Sequence, residues 1–170
     1  MPSTNPAVSR LIRQLDLKPH PEGGHYRETY RCAEQVARPG SGSRRSACTA
    51  IYYLLSGTAY SAWHRIDSDE LWHFHLGCPL TVYCLSEGEG LVVHRLGNAL
   101  EEDGAVFQAV VPAGSWFAAE RMDARGYSLV GCTVAPGFEF SAFELARADD
   151  LRRQYPAHDA LIRRLCAPER

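Results

Sequence analysis

The chain has 170 residues, of which 45% are hydrophobic and 22% are charged, and its formal net charge at pH 7 is -2. This balance is typical of a single soluble domain with a sizeable core. A charge so close to zero gives no reason to expect nucleic acid or an anionic membrane as a partner. The sequence has no apolar run long enough to span a membrane and no secretory pattern at its N-terminus, which predicts a cytoplasmic protein.

The six cysteines form no C-x-x-C pair, so a zinc site built on thiolates is not expected. Cys48, Cys84 and Cys132 lie in apolar, strand-like runs. Because the cytoplasm keeps thiols reduced, we expect buried structural thiols rather than disulfides.

Helical patterns occur at both ends of the chain. Asn5 is a good capping residue, Pro6 suits a first helical position, and the apolar residues that follow recur at helical spacing. They predict a helix over residues 6–16. A second, interrupted helical segment is predicted over residues 148–166.

The sequence between these helices has the pattern of β-strands. From residue 46 onward, apolar or alternating runs are separated by turns rich in Gly, Pro and Asn. An earlier run, residues 25–31, is strand-like but polar on both faces, and residues 33–45 look like a loop. We therefore predict one all-β domain, a sandwich or barrel with its core over about residues 25–145. The predicted strands cover 47–55, 59–66, 70–76, 80–85, 91–96, 106–111, 115–120, 127–134 and 138–145.

The residues best suited to chemistry are concentrated in GTAYSAWHRIDSDELWHFHLG, residues 57–77. His64 can serve as a metal ligand, a base or a hydrogen-bond donor. Since alternate residues of a strand share a face, Glu70 shares its face with Trp72 and Phe74. One candidate site is therefore His64 with Glu70 over an aromatic floor.

The opposite face of the same predicted strand offers a second candidate site. Asp69, His73 and His75 share that face, and together with His64 they would make a metal cage. The two faces cannot both point inward without a bulge, so the residues alone leave both sites open.

Several blocks of the sequence resemble the cupin superfamily, and in particular its DUF985 or Cupin_5 family of unknown function. His64, Glu70 and Gly77 match the spacing of the first cupin motif, and Pro112-Ala113-Gly114 matches the second. The resemblance covers about residues 8–165 and favours the site of His64 and Glu70. It implies a cupin double-stranded β-helix, a jelly-roll-like barrel with a pocket inside, and a homodimer. The blocks are PEGGHYRETY (21–30), TAIYYLLSG (49–57), HRIDSDELWHFHLG (64–77), VVPAGSWFAAE (110–120) and GCTVAPGFEFSAFEL (131–145).

The resemblance also implies where a metal would bind, because a metal-binding cupin supplies three His and one Glu. In this chain Ile66 replaces the second His and Phe117 occupies the position of the third. First-row metals generally need three or more protein ligands, so we expect no bound metal and no other cofactor. If a metal binds, His64 and Glu70 are the expected ligands.

A His beside a carboxylate in an enclosed pocket is a workable acid/base pair. We expect His64 to act as the base and Glu70 as its partner or as the acid. By analogy with metal-free cupins related to deoxysugar epimerases, the chemistry would be isomerisation or epimerisation of a carbohydrate- or nucleotide-like ligand.

The small organic ligand would be held by aromatic rings, which stack on sugars and nucleosides. We expect this role for Trp72, Phe74 and Trp116, with Arg27 and Glu28 completing the pocket. Two alternatives remain open: a ligand-binding or sensor cupin without chemistry, and a metal-dependent cupin enzyme with an incomplete ligand set.

Overall fold

The computed structural model describes residues 5–38, 40 and 42–168. Strands dominate this part of the chain, with short helices near both ends. The elements in chain order are α1 (Pro6–Gln14), β1 (Lys18–Pro19), β2 (His25–Arg31), β3 (Gln35–Ala37), β4 (Arg44–Ser46), β5 (Thr49–Ser56), β6 (Ser61–Arg65), β7 (Asp69–Gly77), β8 (Leu80–Ser86), β9 (Gly90–Leu96), β10 (Gln108–Val111), β11 (Trp116–Arg121), β12 (Tyr127–Ala135), a 3-10 turn (Phe140–Ala142), β13 (Glu144–Leu145), α2 (Ala148–Gln154), a second 3-10 turn (Pro156–His158) and α3 (Asp159–Leu165).

All the described strands except β3 and β4, which pair with each other, form two antiparallel sheets that pack face to face. A six-stranded sheet has the order β1-β2-β5-β12-β7-β10, and a five-stranded sheet has the order β13-β6-β11-β8-β9. Tyr53 and Trp72 of the first sheet pack with Val82 and Phe117 of the second in one buried cluster. The predicted all-β barrel is therefore confirmed.

The helices cover the outer faces of the two sheets. The apolar stripe of α1 places Val8 against Leu54 and Leu129 of the six-stranded sheet. Ile162 of α3 packs with Trp116 on the outside of the five-stranded sheet. Helix packing therefore uses the outer faces and leaves the space between the sheets to the inward-facing side chains.

Two predicted segments differ from the structure. The run 138–145 was wrong as a strand, because it forms the 3-10 turn and only the two-residue β13. Its apolar residues are instead a packed aromatic cluster of Phe138, Phe140 and Phe143. The loop predicted over residues 33–45 differs in part, because β3 and β4 pair there as an antiparallel hairpin; residues 39 and 41 of this stretch lie outside the described residues.

All six cysteines are free thiols. Cys84 and Cys132 are buried as predicted, whereas Cys48 is only half-buried. Across the described residues, none of the helices has the length and apolar character needed to cross a membrane.

Candidate active site in the barrel

The alternation along β7 decides which face of this strand is internal. Glu70 and Trp72 are buried, with 7% and 0% of their surfaces exposed, and Phe74 packs against the same core. The prediction that Glu70 shares its face with these two aromatic residues is confirmed.

The other face of β7 lies outside the barrel. Asp69 is exposed, and His73 places its Nε2 3.2 Å from the Thr133 hydroxyl. The His75 ring packs edge-on against Tyr52, with the ring centroids 5.8 Å apart. The sheet separates these three side chains from the barrel interior. They therefore form no metal cage with His64, which faces inward.

A cavity of about 340 Å³ opens inside the barrel beside Glu70. Its walls come from β1, β2, β5, β6, β7 and β12 and from residues 138–140. His64 and Glu70 line it, and so do Arg27 and Glu28. The cavity therefore joins the predicted central motif to the N-terminal strand.

The strand register explains how such distant residues reach one cavity. Arg31 of β2 stands opposite Thr49 of β5, Thr49 opposite Val134 of β12, and Val134 opposite Glu70 of β7. Residues opposite each other across a sheet point to the same face. These four residues therefore form a row across the inner face of the six-stranded sheet. The row runs from the buried carboxyl group of Glu70 to Arg31 at the edge of the cavity.

A tight turn between β1 and β2 inserts Glu22 into the barrel. The Ala62 N–H donates to the Glu22 carbonyl at 2.9 Å, and the Tyr53 hydroxyl donates to the Gly23 carbonyl at 2.8 Å. Gly23 has φ +116°, and a Cβ there would lie 2.1 Å from the Tyr60 carbonyl oxygen. Only glycine allows this close approach, which fixes the Glu22 side chain against β6.

Glu22, rather than Glu70, is the direct partner of His64. One oxygen of Glu22 lies 2.9 Å from His64 Nε2, and the other accepts a 2.8 Å hydrogen bond from the Ser61 hydroxyl. His64 Nδ1 donates to the Ala62 carbonyl at 2.7 Å, since a carbonyl oxygen can only accept. The contact between Nε2 and the carboxylate then requires a proton, so the pair is an imidazolium facing a carboxylate.

The pKa values of the two partners move in opposite directions. Burial by itself would lower the pKa of His64, but the Glu22 carboxylate, together with Glu70 and the Ala62 carbonyl, outweighs burial and the pKa is raised. Burial would raise the pKa of Glu22, but the His64 imidazolium, with smaller contributions from His20 and Ser61, lowers it to about 2. Each group keeps the other charged.

Glu70 is the second carboxyl group of the cavity and has a different environment. Burial raises its pKa to about 7; the His64 charge opposes this rise and the Glu22 charge adds to it. Glu70 can therefore gain or lose a proton near neutral pH, while Glu22 stays ionised. Two carboxyl groups whose pKa values are pushed apart in one site are the usual arrangement for acid/base catalysis.

Two phenylalanines lie at the mouth of the cavity, and Arg31 contacts the segment that contains them. Phe138 and Phe140 pack edge-on at 4.9 Å, and Phe140 is 50% exposed. Arg31 donates to the Phe138 carbonyl and to the Glu139 carboxylate, each at 3.0 Å, and makes a two-point ion pair with Glu28. These contacts connect residues 138–140 to β2.

The three aromatic residues expected to hold the ligand do not line this cavity. Trp72 is fully buried, with its ring edge-on to Phe117 at 6.4 Å, and half-buried Phe74 packs against the same core. Trp116 faces the C-terminal helices, where the Arg65 guanidinium lies 4.5 Å from its ring centre. Since Phe117 points inward, its neighbour Trp116 must point outward.

Arg27 and Glu28 reach the cavity in different ways. Glu28 stands opposite Ile51, so its side chain is on the inner face. Arg27 stands opposite Tyr52 on the outer face and contributes only to the rim. Its Nε is buried without a hydrogen-bond partner among the described residues.

Sequence reasoning missed His20, Glu22 and Tyr53 as site residues. All three line the cavity. No role in the site was predicted for the segment HPEGG, although two consecutive glycines after an acidic residue are a signal of close backbone approach.

The residues in the standard cupin metal positions do not fit a resident metal. Ile66 and Phe117 are apolar and buried, with 5% and 0% exposed. Of the remaining two residues, His64 has both ring nitrogens engaged. In the chain as described, no three His, Cys, Asp or Glu side chains are grouped so that they could hold a metal ion.

A two-sheet barrel that carries its candidate site between the sheets is the architecture of a cupin. The sequence model of the Cupin_5 family, described as "Cupin superfamily (DUF985)", matches residues 9–146. The chain belongs to this family.

Relatives of similar length occur in distant organisms. The chain is 28% identical over 173 residues to the uncharacterized protein YML079W of Saccharomyces cerevisiae, covering 88% of this chain and 80% of that protein. A hypothetical protein from Leishmania major is 35% identical with a TM-score of 0.85, covering 94% of this chain and 98% of that one. Protein SO0799 from Shewanella oneidensis is 38% identical with a TM-score of 0.84, covering 95% and 98%.

More distant structures share the fold alone. Oxalate decarboxylase from Bacillus subtilis has a TM-score of 0.55 at 14% identity, covering 89% of this chain and 37% of that one. A cupin 2 domain-containing protein from Halorhodospira halophila has a TM-score of 0.56 at 16% identity, covering 90% and 89%. Their likeness supports the double-stranded β-helix and carries no activity to this chain.

Proposed function

We propose that the barrel binds a small carbohydrate- or nucleotide-like ligand and performs isomerase- or epimerase-type proton transfer on it without a metal. The observation that carries the proposal is the pair of carboxyl groups in one cavity, Glu22 with a pKa of about 2 and Glu70 with a pKa of about 7. A proton donor and acceptor work best when the pKa lies near the operating pH, which is the case for Glu70.

The hydrogen bonds favour the reverse of the roles suggested by the sequence. A base needs a free lone pair, but both ring nitrogens of His64 are engaged, one with Ala62 and one with Glu22. Glu70 is therefore the group that removes and returns the proton. The His64 imidazolium, held in place by Glu22, supplies positive charge to the cavity.

The test is exchange of carbon-bound hydrogen in heavy water, which detects proton transfer even without net conversion. Sugars, keto sugars and nucleotide sugars are incubated with the protein in D₂O and followed by NMR. We expect exchange at a carbon next to a carbonyl group, lowered about 100-fold or more by Glu70→Gln. Glu144→Gln, which removes a surface ion-pair partner of Arg65, is the matched control and should exchange as wild type does.

Two other results would contradict this function. A ligand that binds the wild-type protein without any exchange would indicate a carrier or sensor. Exchange that persists unchanged in Glu70→Gln would place the chemistry on another residue.

We also propose that the protein is a homodimer, as its family resemblance implies. The outer face near β7 and β10 exposes Leu76 and Val110, with 49% and 46% of their surfaces exposed. An apolar surface of this kind is typical of a subunit contact. Sedimentation equilibrium should give twice the chain mass, and Val110→Lys should shift it toward the monomer.

A further inference from the structure

His20 is a cavity residue for which the acid/base pair just described provides no role. It precedes the turn that carries Glu22, and its ring lies among aromatic neighbours. The nearest is Tyr26, edge-on at 4.5 Å, followed by Tyr53 at 5.8 Å and Phe143 at 6.1 Å. These rings hold the imidazole in one orientation.

The backbone determines which nitrogen of His20 carries the proton. The Glu22 N–H donates to His20 Nδ1 at 3.2 Å. An amide N–H can only donate, so Nδ1 must present its lone pair and the proton of the neutral ring lies on Nε2. The Glu22 carboxylate is 3.7 Å from Nδ1, too far for a hydrogen bond that would reverse this assignment.

The Nε2–H group is left without a protein partner. It makes no hydrogen bond within the part of the chain that the structure describes, and it is not sealed from solvent. Burial of the ring lowers the pKa of His20, which the Glu22 charge only partly offsets, so the ring tends to stay neutral. A neutral imidazole with a fixed tautomer is a hydrogen-bond donor that does not lose its proton to solvent at neutral pH.

We propose that His20 donates its Nε2–H to a carbonyl oxygen of the ligand, and that the ligand class is a carbonyl compound with a hydrogen on the adjacent carbon. This inference rests on the proposed function, because it names the substrate class and a second polar contact for the same cavity. A neutral imidazole that polarises a carbonyl while a glutamate moves the proton is an established solution for isomerisation.

The proton transfer balances without any further reactant. The carboxylate of Glu70 takes the proton from the carbon next to the carbonyl group, and the C–H electron pair becomes the double bond of an enolate. The negative charge appears on the carbonyl oxygen, where the His20 Nε2–H stabilises it. Where the adjacent carbon carries a hydroxyl group, Glu70 returns the proton to the former carbonyl carbon. The hydroxyl proton moves to the former carbonyl oxygen, and the product is the isomer.

The first test reads the tautomer and the carbonyl contact directly, without turnover. The protein labelled with ¹⁵N in histidine is titrated with dihydroxyacetone and, in parallel, with glycerol, which has the same carbon skeleton without the carbonyl group. His20→Gln assigns the signals. We expect an unprotonated Nδ1 and a protonated Nε2 in the free protein, and a shift of the Nε2–H resonance with dihydroxyacetone alone.

Three results of this titration would overturn the inference: a proton on Nδ1, equal shifts with both probes, or no shift with either at saturating concentration. Each can occur while the wild-type protein still exchanges hydrogen in D₂O, so failure of the inference is distinct from failure of the proposed function. Absence of exchange in wild type would count against the proposed function alone.

The second test compares two substitutions of His20 in the exchange assay. His20→Gln keeps an N–H donor in the cavity, whereas His20→Phe keeps a ring and removes the donor. We expect Gln to retain the exchange rate within about 10-fold and Phe to lose about 100-fold or more, as when one oxyanion donor is removed. Equal loss in both variants at unchanged thermal stability would overturn the role of the donor.

Discussion

The carboxylate of Glu22 and the imidazole of His64 face each other at 2.9 Å inside the barrel, with 8% and 3% of their side chains exposed. One comes from the turn before β2 and the other from β6, so the pair exists only when both sheets have formed. Ser61 and the Ala62 carbonyl complete the hydrogen bonds of the pair. A buried ion pair of this kind is costly to break, because either partner left alone is a buried charge.

Glu22→Gln should lower the free energy of unfolding at pH 7 by about 3 kcal/mol, since His64 loses its charged partner. The pKa of Glu22 is about 2 in the folded protein and 4.5 as its ordinary value. The stability that the Glu22 carboxylate contributes is therefore complete above pH 4.5 and is lost as the pH falls toward 2. Urea unfolding at pH 7 and pH 3 should show a smaller difference between variant and wild type at pH 3.

Ser61→Ala is the matched control for the Glu22 substitution, because it removes one hydrogen bond to Glu22 and leaves the charges in place. We expect a loss of about 1 kcal/mol. A Glu22→Gln effect no larger than that of Ser61→Ala would show that the ion pair contributes little.

Glu70→Gln should stabilise the protein at alkaline pH. The folded-state pKa of Glu70 is raised to about 7 by burial, so the folded protein binds this proton more tightly than the unfolded chain does. The stability it contributes is complete below pH 4.5 and is lost as the pH rises through 7. The amide resembles the protonated acid, so we expect a gain of about 2 kcal/mol at pH 8 and almost none at pH 4.

Thermal unfolding across this pH range is the measurement for Glu70→Gln. A gain that is the same at both pH values would mean that the titration of Glu70 is not its source. A loss of stability at pH 8 would contradict the environment described for this carboxyl group.

Gly23→Ala should disrupt the turn that places Glu22. The new Cβ would lie 2.1 Å from the Tyr60 carbonyl oxygen, in a backbone conformation with φ +116°. We expect a loss of more than about 2 kcal/mol in chemical unfolding, together with a lower His64 pKa by NMR. Gly57→Ala is the control, because Gly57 also has a positive φ, +59°, but no atom lies within 4 Å of its added Cβ. Gly57→Ala should lower the free energy of unfolding by about 1 kcal/mol and leave the His64 pKa unchanged.

Phe140→Ala and Trp116→Ala should separate ligand contact from packing. Phe140 is 50% exposed at the cavity mouth, so its removal should change the free energy of unfolding by less than about 1 kcal/mol. It should, however, weaken ligand binding. Trp116 is 8% exposed under the C-terminal helices, so its removal should cost about 3 kcal/mol or more. Thermal unfolding and ligand titration of both variants check this; weaker binding in Trp116→Ala alone would reverse the assignment.

Elemental analysis of the untagged protein should give less than about a tenth of an equivalent of any transition metal per chain, because two apolar side chains occupy ligand positions. Added zinc or manganese should leave the unfolding temperature unchanged. One equivalent of bound metal would contradict our account of Ile66 and Phe117.

Local periodicity in the amino-acid sequence was enough to predict several elements. The period-two pattern of β7 placed Glu70 on one face with Trp72, and the Asn5-Pro6 start with its apolar stripe predicted α1. Together with the family's motifs, these patterns gave the barrel and two residues of its cavity. Local patterns succeed here because each depends on backbone geometry that repeats every two residues in a strand or every turn of a helix.

Which residues meet in the cavity depends on how the two sheets pack in the folded protein. The strand pattern of β11 showed that Trp116 and Phe117 point to opposite sides, but which side is internal depends on the opposing sheet and on the helices outside. The partner of His64 comes from a turn whose path is fixed by glycine conformations and by backbone contacts to β6. Such contacts join residues far apart in the chain, and their free energy depends on burial and charge that exist only after folding.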